Sequence, residues 1–202
     1  MRAGESWRLF LSKEIWREPD EAIIVDYRDI AAGKTTFSNQ LAQRYSVAVF
    51  QKDTIKEILG DNIGFRDREE NRKLSNAAVQ LMAHLFWQIA QTGSDLILEA
   101  NFHGSELEQL HELANRMQYR VLTLVLRGEA EILYGRYLHR MRAENRHPVH
   151  LSTTLDVKED FISTAQLIRG EKIVGEALWI DACDISYQQD EQLLRTIDLF
   201  MN

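Results

Sequence analysis

Ile23-Ile24-Val25-Asp26-Tyr27-Arg28-Asp29-Ile30-Ala31-Ala32-Gly33-Lys34-Thr35-Thr36 decides how this chain of 202 residues folds. The β-branched and aromatic residues at 23–27 form an extended segment that breaks at a tight turn. Thr36-Phe37-Ser38-Asn39-Gln40-Leu41-Ala42 then opens a helix, with Phe37 and Leu41 four apart on its buried face. A strand that turns straight into a helix presents unpaired backbone N–H groups at the positive end of a dipole, which suits an anion. The residue types narrow the anion to a nucleotide's phosphates: the Lys34 ammonium reaches the terminal phosphates and the Thr35 hydroxyl ligates Mg²⁺. Asp29, Ile30, Ala31, Ala32, Gly33, Lys34, Thr35 and Thr36 are the expected nucleotide-binding residues. The Walker A pattern is broken at one place, where Arg28 stands for the Gly expected five residues before Gly33. A side chain there either crowds the loop and diverts its backbone or adds a cation beside the phosphates. The blander reading is a Gly-Lys-Thr that only opens a solvated helix.

Composition narrows the setting. With 45% hydrophobic residues and no Pro- or Gly-rich linker, the chain is read as one core-bearing domain over 21–202. Residues 1–20, with Trp7, Phe10, Leu11, Ile15 and Trp16, form an accessory segment expected to dock on that core. A single Cys183 excludes an internal disulfide framework, and no Cys/His cluster has zinc spacing. No apolar run is long enough to span a membrane, and Trp7–Leu11 is interrupted by charge too soon for a secretory signal. A cytoplasmic protein is expected. The net charge of −7 argues against general nucleic-acid binding, which depends on neutralising many phosphates. Cations are instead concentrated locally: Arg136, Arg140, Arg142 and Arg146 face only Glu144 between 136 and 147.

Strands are predicted near 23–27, 47–51, 95–99, 120–126 and 177–181, separated by helical pattern. Helices are predicted at 69–91, with a buried stripe of Leu74, Ala77, Ala78, Leu81, Leu85 and Ile89, and at 104–117, 129–142 and 188–200. Alternation of this kind gives an α/β fold with a parallel sheet covered on both faces. Ligands of such sheets lie beyond the carboxyl ends of the strands. Two strand ends carry suitable chemistry. Asp53 follows the second strand and either orients an acceptor hydroxyl or caps a helix beginning at Thr54. Glu99 ends the third and either holds Mg²⁺ or substrate, or is a buried partner of Lys52 or an Arg; Asn101 is a substrate or loop contact. Arg136 and Arg140, one turn apart, share a helix face that is either a phosphate clamp or a solvated basic surface. His147 and His150 read as loop hydrogen-bonding groups, or as a metal pair.

In order and spacing, four blocks together resemble the small P-loop kinases that include the zeta toxins and chloramphenicol phosphotransferase. The blocks are the loop at 28–36, Lys52-Asp53…Ile55-Lys56-Glu57, Leu98-Glu99-Ala100-Asn101-Phe102, and Arg136…Arg140…Arg146-His147-Pro148…His150. The resemblance covers about residues 21–185. It implies a three-layer α/β/α P-loop fold, strand order 2-3-1-4-5, and a helical lid near 139–152. It also implies transfer of a phosphoryl group from ATP, with Mg²⁺, to a small-molecule hydroxyl. Asp53 would then take the hydroxyl proton, Lys34, Arg136 and Arg140 would complete the catalytic set, Arg146 would join the ATP contacts, and Thr35 and Glu99 would hold the metal. A nucleotide-binding module with lost catalysis is the alternative, and a nucleotide-sugar or nucleic-acid end kinase would share the mechanism. No acceptor pocket is legible in 60–75 or 151–175, and the protein is expected as a monomer or homodimer.

Overall fold

In the computed structural model, residues 21–143, 146–151, 155–170, 173 and 175–201 are described, so the accessory segment read at 1–20 lies outside them. Each apolar run becomes a strand and each amphipathic run a crossover helix: β1 (Ala22–Arg28), α1 (Lys34–Tyr45), β2 (Ala48–Gln51), α2 (Lys52–Ile63), α3 (Arg68–Ala90), β3 (Leu96–Glu99), α4 (Ser105–Arg116), β4 (Arg120–Arg127), α5 (Ala130–Ala143), α6 (Lys158–Arg169), β5 (Glu176–Asp181) and α7 (Glu191–Met201). The sheet has the order β2-β3-β1-β4-β5 and every pairing is parallel. The expected P-loop strand order is thus the observed one. β1 lies at the centre, with Val25 opposite Leu98 of β3 and Thr123 of β4.

Period-two alternation sends successive residues to opposite layers. Val25, Leu96, Leu98 and Val121 pack with α3 and α4, through Phe86, Leu110 and Leu113. Ile24, Ile97, Leu122 and Leu124 pack with α1, α5, α6 and α7, through Phe37, Leu133, Phe161 and Ile197. Among the described residues no helix is long and apolar enough to cross a membrane.

Three readings need correction. The buried stripe of α3 is Leu74, Ala78, Met82, Phe86 and Ala90, while Leu81 is 40% exposed. The helix is apolar on more than one face, and packing against the sheet selects the face bearing Met82 and Phe86. The predicted helix 188–200 divides into a 3-10 turn at Ile185–Gln189 and α7. Helix α6, with Phe161, Ala165 and Ile168 buried, is an element that the sequence reading lacks.

Candidate functional site

The loop after β1 is built from both ends of the chain. Arg28 is still in strand conformation, its backbone opposite Leu126, so its position does not demand the positive φ that a Gly would supply. The reversal falls instead on Ala31, at φ 61°, and Gly33, at φ 94°. A left-handed Ala costs on the order of 1 kcal/mol. Gly33 is required twice, by its φ and by space, since a Cβ there would lie 2.7 Å from the Tyr187 hydroxyl. That hydroxyl donates to the Ala32 carbonyl at 2.9 Å, and the Tyr187 ring meets Phe37 edge-on, centroids 5.2 Å apart. Beneath the loop Asp29 is fully buried, and its carboxylate accepts from Arg169 and from the Gly128 N–H. Its partnership with Asp29 raises the Arg169 pKa above the ordinary guanidinium range. The Asp29 carbonyl accepts from Lys34 Nζ at 2.7 Å. Asp29 therefore supports the loop, whereas Ile30 to Thr36 line the cavity above it.

That cavity, of about 220 Å³, is also lined by Lys52, Asp53, Lys56, Glu99, Asn101 and Arg140. Thr35 Oγ1 donates to Glu99 Oε2 at 3.1 Å, so a hydroxyl from α1 and a carboxylate from β3 meet at the loop. Glu99 is only 6% exposed, and burial pushes its pKa above the usual carboxylate range, with nearby Lys34 opposing. The two oxygens are hard donors of the kind Mg²⁺ prefers. No cluster of three or more His, Cys, Asp or Glu able to hold a metal occurs among the described residues. Of the partners weighed for Glu99, Lys52 lies 3.6 Å from Glu106, whereas Arg140 is among the cations whose charge acts on the Glu99 carboxylate. Asp53 does not cap a helix starting at Thr54: α2 begins at Lys52 with Gln51 at the cap, leaving Asp53 exposed in the first turn. The Asn101 Oδ1 atom is buried without a hydrogen-bond partner among the described residues.

The arginines separate. Arg140 lines the cavity, whereas Arg136 donates to the carbonyls of Ala182 at 2.6 Å and Cys183 at 2.5 Å, holding the loop after β5. Arg146 contacts Met141 Sδ at 3.4 Å and is not among the cavity residues. His147 pairs with Asp61 at 2.9 Å and His150 with Glu57 at 2.7 Å. The carbonyl of Val149 accepts from Asn71 and Lys56. Gly60 leaves room for the Val149 side chain, so the segment after the arginine helix rests on α2 and α3. Sequence reasoning missed Arg169 and Tyr187, whose roles depend on distant packing.

A family model described as an AAA domain matches residues 30–162. The chain belongs to that AAA domain family. None of the curated proteins matches the chain significantly. Among solved structures, this AAA domain is similar to a "putative kinase" from Chloroflexus aurantiacus, with a TM-score of 0.72 and 26% identity over 88% of this chain and 98% of that one. It also resembles in fold a sugar kinase from Janibacter, at a TM-score of 0.59 and 16% identity over 91% and 97% of the two chains. A Mycobacterium tuberculosis APS kinase solved with AMPPNP and APS is similar at a TM-score of 0.59 and 14% identity, over 91% and 99%. The fold is that of P-loop kinases.

Proposed function

We propose that the protein is a small-molecule kinase of the zeta toxin and chloramphenicol phosphotransferase type, using ATP and Mg²⁺. The observation that carries this reading is the meeting of Lys34, Thr35, Glu99, Asp53 and Arg140 around one cavity at the strand ends. The acceptor oxygen attacks the γ-phosphorus, the bond from that phosphorus to the β–γ bridging oxygen breaks, and ADP leaves. Asp53 takes the acceptor's proton, while Lys34 and Arg140 stabilise charge on the transferring group. Thr35 and Glu99 would hold Mg²⁺, which supplies charge neutralisation to the phosphates. The strand conformation of Arg28 favours this reading over a disabled loop. Titration with ATP and Mg²⁺, then a hydrolysis assay and an acceptor screen, tests it. Binding without hydrolysis or transfer would leave a nucleotide-binding module, and no binding would overturn both.

Arginine variants separate chemistry from scaffolding. Arg140→Ala should lower turnover by about 10²-fold with little change in melting temperature, as removal of a preorganised transition-state donor does. Arg136→Ala should cost about 2 kcal/mol of stability, because two charge-assisted bonds to carbonyls disappear. Chemical denaturation alongside steady-state kinetics measures both, and equal effects on stability would remove the distinction.

Glu99 gives a pH test. Its folded pKa is raised, so its contribution to stability is complete below the ordinary carboxylate pKa and is lost as pH rises through the folded value. Glu99→Gln should therefore melt higher than wild type at neutral pH, with a gap that shrinks as pH falls through the folded value toward the ordinary carboxylate pKa, while its activity demands more Mg²⁺. A gap independent of pH would contradict the burial argument.

A further inference from the structure

A second cavity, of about 760 Å³, adjoins the loop cavity and shares Lys56, Ser75 and His103 with it. Its wall is one face of α3: Arg68, Arg72 and Ser75 follow at i, i+4 and i+7, with Asn71 between them. Lys56 of α2 and His103 after β3 complete the rim. Arg68 and Arg72 are exposed and make no hydrogen bond or ion pair with any described residue. The neighbouring acids are already occupied. Glu69, which also lines this cavity, lies 3.3 Å from Lys73, and Glu70 is paired with Arg66 at 3.0 Å. Two like charges one turn apart at a helix N-terminus oppose the dipole and repel each other, so they do not serve the stability of α3. Lys56 is half-buried, and desolvation lowers its pKa, so a further anion nearby would favour its charged form.

We propose that this cavity is the acceptor site and that it selects a hydroxyl compound carrying a carboxylate or phosphate group. Resting on the kinase reading above, the proposal gives that reaction its substrate class. Guanidinium groups fork onto either anion, and Lys56 lies at the rim shared with the loop cavity. An anion held by Arg68 and Arg72 leaves the rest of the molecule directed toward the loop. Neutral sugars and cationic aminoglycosides lack the group that these residues recognise.

The test compares a neutral sugar, the matching sugar acid and the matching sugar phosphate as acceptors. Wild type should show a KM for at least one anionic acceptor about 10-fold or more below that of the neutral one. The ratio of acid to phosphate tells which anion is preferred. Arg72→Ala should raise that KM about 10-fold or more while kcat changes less, and Arg72→Lys should restore part of it. The position is exposed, so circular dichroism should match wild type. Isothermal titration of each anionic probe against ATP-free protein keeps the site separate from the chemistry. Binding by wild type that Arg72→Ala weakens would support the site even if no transfer occurs and the kinase reading fails. Equal KM for neutral and anionic acceptors, or probe binding unaffected by Arg72→Ala, would overturn the proposal.

Discussion

Lys34→Ala should weaken ATP·Mg²⁺ binding by about 10- to 100-fold, measured by isothermal titration calorimetry, and leave the fold intact. The size follows from the ammonium–phosphate bond that the substitution removes: a charge-assisted bond of this kind contributes about 1.5–3 kcal/mol, and about 1.4 kcal/mol is a factor of ten. The fold should survive because the Asp29 carbonyl, which accepts from the ammonium, also accepts from the Ala32 N–H at 3.4 Å. Asp29 itself stays fixed by Arg169 and Gly128. Lys34→Arg makes a useful companion, since it keeps the charge and changes its shape. Unchanged affinity in Lys34→Ala would remove the phosphate-loop reading and the kinase with it.

Asp53→Asn should keep nearly full ATP affinity while acceptor phosphorylation falls by about 10²-fold or more, the usual size of a general-base contribution. The carboxylate is exposed in the first turn of α2 and lines the loop cavity, so the amide should be tolerated structurally. Loss of the charge removes a favourable partner of the helix dipole, at a cost of about 0.5 kcal/mol. The decisive comparison is kcat against ATP affinity for the best acceptor found in the screen. Transfer at the wild-type rate would confine Asp53 to its place in the helix and end its catalytic assignment.

The parts legible in the sequence are those written into neighbouring residues. The loop at 29–36 needs only a strand, a Gly and a helix start within one short stretch, and the five strands announce themselves as bounded apolar runs. Asp53 does lie beside the loop, but the helix that it would have capped in the alternative reading starts elsewhere, because α2 begins at Lys52, before its first apolar side chain. The rotated stripe of α3 has a similar cause: 3.6-residue periodicity fits two overlapping apolar faces, and only the sheet chooses between them. Helix α6 does carry a readable signal, with Phe161, Ala165 and Ile168 at helical spacing and Glu159 and Asp160 in its first turn. Its partner in the site is not readable. The bond between Arg169 and Asp29 spans 140 residues, and that between Tyr187 and Ala32 spans 155. The basic face of α3 likewise gains meaning only when α2 and the loop after β3 are brought against it.

Those long separations bear on synthesis. Ile30 to Thr36 leave the ribosome before Tyr187, whose phenol supports Ala32, and before Arg169, whose guanidinium neutralises Asp29. Until Arg169 at the end of α6 and Tyr187 in the turn at Ile185–Gln189 are in place, Asp29 and Ala32 lack those two partners. A growing chain that has completed the family-matched stretch at 30–162 therefore holds the loop residues without the finished cradle, whose two supports arrive with Arg169 and Tyr187.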